Sequence, residues 1–506
     1  MGGLKSLAKD TAVYGLSSII GRFLNWCLVP LYVYLFPTEE YGIVTYLYGI
    51  TAVMLIILNY GMETGFFRFA NKDKEPEKVY TTCLISVGTT SLLFIILLSV
   101  FLHPISSALK LPHHSLLVWL IGVTVGIDAF SNLPFAYLRY KKKAWRFAGI
   151  KLLNVGCNIG LNLFFLLVCP WIEKNSPALI NWFYAPLGGE AFGIGWIFIA
   201  NIISTYVVLM FLMPQLMGRK WVFAWGLLKK ILSYSWPLLI LAIAGMLSQN
   251  MGQLLIPYLF SDEDAARSMV GIYGANMKIA IVMVMFTQAF RYAYEPFIFA
   301  QAKEEGEDRR QMYGDAMKYF VIFALLIFLG VMYFLPVLKY FISSAYWEGL
   351  AVVPIMMLAE IFYGVFFNLS LWYKLTDRTQ WGMYLSLICF LIMLGLNIWW
   401  VPMIGYPNGY MGSAWAALVS YLLVMIISYF LGQYYYPIKY EIPRLLIYSI
   451  AVAIFYFGGM AMEWVFPMWV TYCLRAVLLI IYAGIVCYFE NVPLITPFLK
   501  KTLSRV

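Results

Sequence analysis

The sequence predicts an all-α polytopic membrane protein of about fourteen transmembrane helices. Two six-helix lobes are expected, related by a pseudo-two-fold axis along the membrane normal, with two extra helices after them. Three observations predict this. Of 506 residues, 62% are hydrophobic and only 12% are charged, whereas a soluble domain carries about 25% charged residues, so lipid must cover much of the surface. The chain is a succession of apolar runs of about 20 residues or more, each long enough to cross a bilayer. The first six runs resemble the next six, in the same order.

The runs lie near 11–35, 41–69, 79–102, 115–139, 147–169, 191–213, 230–258, 269–299, 316–335, 347–373, 381–400, 411–433, 443–466 and 468–489. Pro, Gly and charged residues punctuate the gaps, as in Phe36-Pro37-Thr38-Glu39-Glu40 and Tyr406-Pro407-Asn408-Gly409. Aromatic residues make up 18% of the chain, enough to line two interfaces with Trp and Tyr. Orientation follows from Lys and Arg. With the N-terminus in the cytoplasm, 25 of the 35 basic residues fall on the inner side, counting those at span ends. Four fall outside (Lys110, Lys174, Arg267 and Lys339) and six lie within spans. An even number of spans returns the tail with Lys500 and Lys501 to the cytoplasm.

The repeat rests on ordered matches. Leu35-Phe36 followed by Gly42-Ile43 returns as Leu259-Phe260 followed by Gly271-Ile272, and Phe69-Ala70 as Phe299-Ala300. Asn132-Leu133, Tyr137 and Trp145 return at one constant offset as Asn368-Leu369, Tyr373 and Trp381. Leu161-Asn162 before Pro170 returns as Leu396-Asn397 before Pro402, and Gly193 and Trp196 as Gly412 and Trp415. The expected domains are an N-terminal lobe, 1–216, a C-terminal lobe, 217–436, and an appendix of two spans with a cytoplasmic tail, 437–506.

The net charge of +10 does not imply a nucleic-acid partner. The basic residues sit in short loops rather than in one patch, as cytoplasmic loops do. The seven cysteines fall inside or at the ends of apolar runs without a CxxC pair, and read as small core residues. The only histidines, His103, His113 and His114, lie in or beside one outer loop. Adjacent His113 and His114 lack the spacing of a metal site. No H-E-x-x-H, G-x-S-x-G or P-loop is present. The expectation is a non-enzyme with no catalytic residue, metal or cofactor.

Charge inside hydrocarbon is costly and usually faces a cavity or a partner. The polar groups concentrate in spans 1, 2, 7 and 8. Arg22 lies about eleven residues into span 1, about 17 Å at helical rise, with Asn25 on its face. Span 2 carries Asn59, Glu63 and Arg68; span 7 carries Gln249, Asn250 and Gln253; span 8 carries Lys278, Gln288, Arg291 and Glu295. Four positive charges face two negative ones, so a chamber built from these groups favours an anion, and guanidinium forks suit phosphate. Bland roles compete. Arg291 and Glu295 can pair with each other, and Glu63 with a neighbour. Arg68 can snorkel to the inner interface, as Arg139 and Lys151 can. The amides can be helix-packing glue. Asp128 and Glu360, near mid-depth of spans 4 and 10, fit either structural partners or sites for a coupling proton or cation.

Tyr14-Gly15-Leu16-Ser17-Ser18-Ile19-Ile20-Gly21-Arg22, Pro30-Leu31-Tyr32, Glu39-Glu40-Tyr41-Gly42 and Gly61-Met62-Glu63-Thr64-Gly65-Phe66-Phe67-Arg68-Phe69 resemble the polysaccharide transporter (Wzx-type oligosaccharide flippase) branch of the multidrug/oligosaccharidyl-lipid/polysaccharide (MOP) flippase superfamily. The resemblance implies two lobes that alternate between inward- and outward-open states. It implies transfer of a lipid-linked oligosaccharide, on a polyprenyl diphosphate, to the outer leaflet of the bacterial inner membrane, among membrane lipids and polysaccharide-assembly proteins; the sequence does not give the coupling ion, H+ or Na+. It also implies that Arg22 and the first two spans of each lobe line the chamber. Where many such cavities use several arginines, this sequence offers Lys278 and amides. Two other functions compete. A drug/cation antiporter of the sister MATE branch resembles this chain in fold, but uses an acid in span 1, and none lies past Asp10 there. A membrane glycan polymerase or ligase usually carries a large outer loop rich in acids, histidines or arginines. The longest outer loop here, about 170–190, holds only Glu173, Lys174 and Glu190.

Overall fold

The computed structural model describes residues 15, 17, 19–217, 220–301, 307–376, 378 and 380–490. Those residues are helical with short connections, and none of them forms a strand. Among the described residues, thirteen helices are long and apolar enough to cross a membrane, and a shorter apolar helix, α1 (Ile19–Leu35), precedes them. The span expected over 11–35 begins among residues outside the described set, so its first turns are not seen.

The order is α2 (Thr38–Ala70), α3 (Pro76–Val100), α4 (Pro112–Tyr140), α5 (Ala144–Asn175), α6 (Gly195–Gln215) and α7 (Trp225–Leu259). Then come α8 (Glu263–Gln301) and α9 (Glu307–Leu338). The last five are α10 (Ser344–Leu369), α11 (Gln380–Ile404), α12 (Tyr410–Tyr435), α13 (Ile442–Trp464) and α14 (Met468–Phe489). Over its described residues, every expected span therefore appears as a helix. In lipid this is the simplest way for a single segment to satisfy its own N–H and C=O groups.

Packing divides the chain into two compact units, Met1–Ala275 with Ser386–Ser413, and Asn276–Leu385 with Ala414–Val506. Packing is a different criterion from the sequence repeat, so the boundaries at 216 and 436 stay an expectation.

In the first unit, hydropathy runs on through α2 but the helix does not. Tyr60 (φ 30°) and Gly61 (φ 72°) are left-handed and split it into Thr38–Asn59 and Met62–Ala70. Glycine takes that conformation without the Cβ clash. The split also admits α7 closely: a Cβ on Gly61 would come 2.9 Å from the Ser235 side chain, and one on Gly65 2.5 Å from Ile231. Ser235 donates to the Gly61 carbonyl, part of the backbone freed at the split. Around it Met62, Phe66, Val79, Tyr80, Leu84, Leu133, Ala136 and Ile231 form a fully buried core between α2, α3, α4 and α7. In α5 the turn Phe164–Val168 widens to a π-helix just before Pro170, which has no N–H to return to the preceding turn.

In the second unit, Arg475 of α14 is fully buried. It donates to the carbonyls of Gly459 (3.0 Å) and Tyr333 (3.1 Å) and to Glu463 (2.7 Å), so one guanidinium joins α9, α13 and α14. At the other end of these helices, Lys318 is bound to Glu490 (2.9 Å), Glu441 (3.2 Å) and Asp315 (3.3 Å). A buried ammonium needs such compensation.

Candidate functional site

The first unit gathers charge from four helices. Lys151 of α5 lies within electrostatic reach of Asp128 and Arg139 of α4, Glu63 of α2 and Arg22 of α1. Arg22 is exposed, and its neighbour Gly21 is buried where α1 meets Val155 of α5; a Cβ there would lie 3.3 Å from that side chain. The split in α2 places Glu63 in the second segment, where it is bound by Arg139. Glu63 thus has a neighbour, as one of the two sequence readings had it, and the neighbour comes from another span. Lys151 and Arg139, read as interfacial, belong to the same neighbourhood. Lys151 also sits 4.2 Å from the centre of the Phe135 ring. Asp128 accepts a hydrogen bond from Thr205 of α6 at 3.2 Å. Three cations against two carboxylates leave this group one positive charge in excess.

A second set of polar side chains adjoins it, none of them singled out in the sequence for a site. Lys151, Asn154, Asn158 and Asn162 follow one another along α5 at helical spacing and share one face. From Asn162 a chain of hydrogen bonds crosses the unit. Tyr32 of α1 donates to Asn162 (2.9 Å), Asn162 to Asn158 (2.6 Å), Asn158 to Asn201 of α6 (2.6 Å), and Asn201 to Tyr48 of α2 (2.6 Å). The signal was present as a period of three to four, but each amide stands alone in an apolar run.

The other candidates of the first unit play mixed parts. Asn25 is exposed beside Arg22. Asn59 and Asn250 donate back to the carbonyls of Leu55 and Met246 in their own helices. Gln253 packs against Gly49 of α2, where a Cβ would come 3.3 Å from its side-chain oxygen, a helix-packing role. Gln249 is exposed. Arg68 is exposed at the end of α2 and covers the Tyr234 ring at 3.9 Å.

Lys278, Gln288, Arg291 and Glu360 belong to the second unit. Arg291 lies 4.4 Å from the centre of the Phe367 ring. Glu360, 7% exposed, makes no hydrogen bond or ion pair among the described residues. The side chain of Glu295 lies outside the described residues, so its expected pairing with Arg291 is not seen.

A family model described as "Polysaccharide biosynthesis protein" matches residues 7–299, more than half the chain. No curated protein matches the sequence. Among solved structures, the lipid II flippase MurJ in an inward closed conformation is similar with a TM-score of 0.71 at 13% identity, covering 96% of this chain and 100% of that one. An inward-facing multidrug resistance MATE family transporter of the MOP superfamily is similar with a TM-score of 0.63 at 15% identity, covering 82% and 94%. At such identities the likeness is one of fold.

Proposed function

Because the chain belongs to the family of polysaccharide biosynthesis proteins, we propose that it is a flippase that moves a lipid-diphosphate-linked oligosaccharide from the cytoplasmic to the outer leaflet for cell-surface polysaccharide synthesis. The observation that carries this reading is the cationic neighbourhood of the first unit, where Arg22, Arg139 and Lys151 outnumber Glu63 and Asp128. Sugars and phosphates do not enter hydrocarbon without polar partners. Arg22, exposed on α1, offers a permanent charge and a fork that fits phosphate oxygens in pairs. The lipid tail stays in the bilayer while the headgroup crosses on protein. The six-plus-six repeat supports alternating access as the mechanism, and Asp128 or Glu360 is the proposed seat of a coupling H+ or Na+. The basic inner loops favour a bacterial inner membrane with both termini in the cytoplasm.

The fold likeness to a lipid II flippase supports this reading. The likeness to a multidrug transporter supports the rival, a drug/cation antiporter, but α1 holds no acid among its residues 19–35. Native mass spectrometry of the purified protein separates the two. The flippase should hold a species with the mass of a polyprenyl diphosphate glycan, or take up added polyprenyl diphosphate. Binding of phospholipid alone would overturn the reading.

A further inference from the structure

We infer that the polar face of α5, with the Tyr48–Asn201 pair, is the glycan-recognition wall of the transporter, reading sugar hydroxyls beyond the diphosphate. The inference rests on the flippase reading and adds where the sugars go.

Depth is the first argument. Asn154 lies seven residues into the apolar run 147–169, about 10 Å along the helix and well inside a bilayer core of about 30 Å. An amide there is costly against lipid. Asn162 is fully buried and bonded, but Asn154 is only partly buried and makes no side-chain hydrogen bond among the described residues. It stands between Lys151 and Asn158 on the same face with both its donor and its acceptor to offer.

Directionality is the second argument. Along the chain from Tyr32 to Tyr48 every amide oxygen already accepts a hydrogen bond. At the far end the Tyr48 oxygen accepts from Asn201, and its own proton is donated to no described residue. Tyr48 is 37% exposed, so part of its ring is open as well. An aromatic ring with a polar tip at one end of the chain, and one turn before Asn158 the amide of Asn154, together match a sugar, which has apolar C–H faces and hydroxyls of both senses.

Shape is the third argument, and it decides against a cation. A cation site draws several oxygens to one point. Here the groups from Lys151 to Asn162 are strung over about 17 Å of helix, and the oxygens of Asn158, Asn162 and Asn201 each already accept one hydrogen bond. A linear ligand with many hydroxyls fits that spacing.

Two probes test the assignment by native mass spectrometry of the full chain: bare polyprenyl diphosphate, and the lipid-linked oligosaccharide extracted from the cells that make it. The wild-type protein should bind the glycan-bearing lipid more tightly. Asn154→Leu and Tyr48→Phe should each weaken the glycan-bearing lipid about tenfold, the worth of a lost hydrogen bond or two, and leave bare polyprenyl diphosphate unchanged. Asn154→Leu removes no bonded group and should melt like the wild type, so it carries the test; Tyr48→Phe also takes the acceptor from Asn201 and should melt somewhat lower. Equal loss for both lipids, or no loss for either, would overturn the glycan assignment and leave the flippase reading standing. Tightening or loosening of Na+ binding alone would make the stripe a cation path and also overturn it. A wild-type protein that binds neither lipid would remove the flippase reading itself.

Discussion

Gly42 and Gly271, which occupy matching places in the sequence repeat, meet each other in the structure. A Cβ on Gly42 would fall 1.9 Å from the Arg267 carbonyl oxygen, and one on Gly271 would fall 2.0 Å from that of Thr38. The contact is reciprocal, because one offset separates 38 from 267 and 42 from 271. It also separates Thr45 from Gly274, which lie together. Self-complementary contact of this kind is what a two-fold relation produces. Only glycine lets two helix backbones come so near. Thr38 and Ser268 are joined side chain to side chain at 2.8 Å, and Tyr46 and Tyr258 at 3.0 Å. On the orientation expected from Lys and Arg, these ends of α2 and α8 face the outer side.

If transport requires these ends to part, a covalent bond between them must stop it. Thr38→Cys with Ser268→Cys, in a background without other cysteines, should form a disulfide, given side-chain oxygens 2.8 Å apart. Glycan export should fall to background on oxidation and return with reductant. Export that continues with the bond fully formed would mean that α2 and α8 do not separate during the cycle. Gly271→Val should do the opposite and force the ends apart, lowering the cross-linking rate of that cysteine pair severalfold.

The charge surplus around Lys151 has a sign, and two substitutions move it in opposite directions. Glu63→Gln removes a carboxylate and should tighten binding of polyprenyl diphosphate. Arg139→Ala removes a cation and should weaken it. Both side chains are about a third exposed, so loss of the pair should cost less than about 1 kcal/mol of stability. Titration with polyprenyl diphosphate at two salt concentrations checks this, since added salt should shrink both effects. Shifts in the same direction would mean that the pair acts through structure and not through charge.

Glu490, just past the end of α14, gives a pH dependence. Burial pushes its carboxyl up, but hydrogen bonds from Tyr448 and Lys318 and the Lys318 charge outweigh burial and hold it below the usual range. A carboxylate whose folded pKa is depressed contributes stability above its unfolded pKa, and that stability is lost as pH falls through the folded value. Glu490→Gln should therefore cost about 2 kcal/mol at neutral pH, the scale of a charged hydrogen bond. The difference between variant and wild type should close at acidic pH, below the ordinary glutamate range. A gap that is constant with pH would assign Glu490 a packing role alone.

How far the sequence could be read follows from what each signal depends on. Helix positions depend on local hydropathy, and over its described residues every expected span became a helix. The split at Tyr60–Gly61 is also local, but it leaves hydropathy unchanged, so only the conformation shows it. Glu63 needed a partner from outside its own span, and nothing in the sequence ties it to Arg139, because that contact is made by packing α2 on α4. The stripe Lys151, Asn154, Asn158 and Asn162 was legible as a period. It is a faint period, because its amides are neutral and each stands alone in an apolar run, whereas the charges concentrate in the first two spans of each half. That Arg22 stands near Lys151 and Arg139 was not legible, because that neighbourhood is made by packing α1 and α4 on α5.

The most direct measurement of the central claim, that Arg22 holds the diphosphate of the translocated lipid, is complementation of a flippase-deficient strain with membrane abundance followed in parallel. Arg22→Ala removes both the permanent charge and the bidentate fork, and Arg22→Lys keeps the charge alone. The account predicts that the Ala variant is as abundant as wild type but exports no glycan, and that the Lys variant keeps partial export. Normal export by an abundant Arg22→Ala protein would contradict it, and so would a loss of export that merely follows a loss of folded protein.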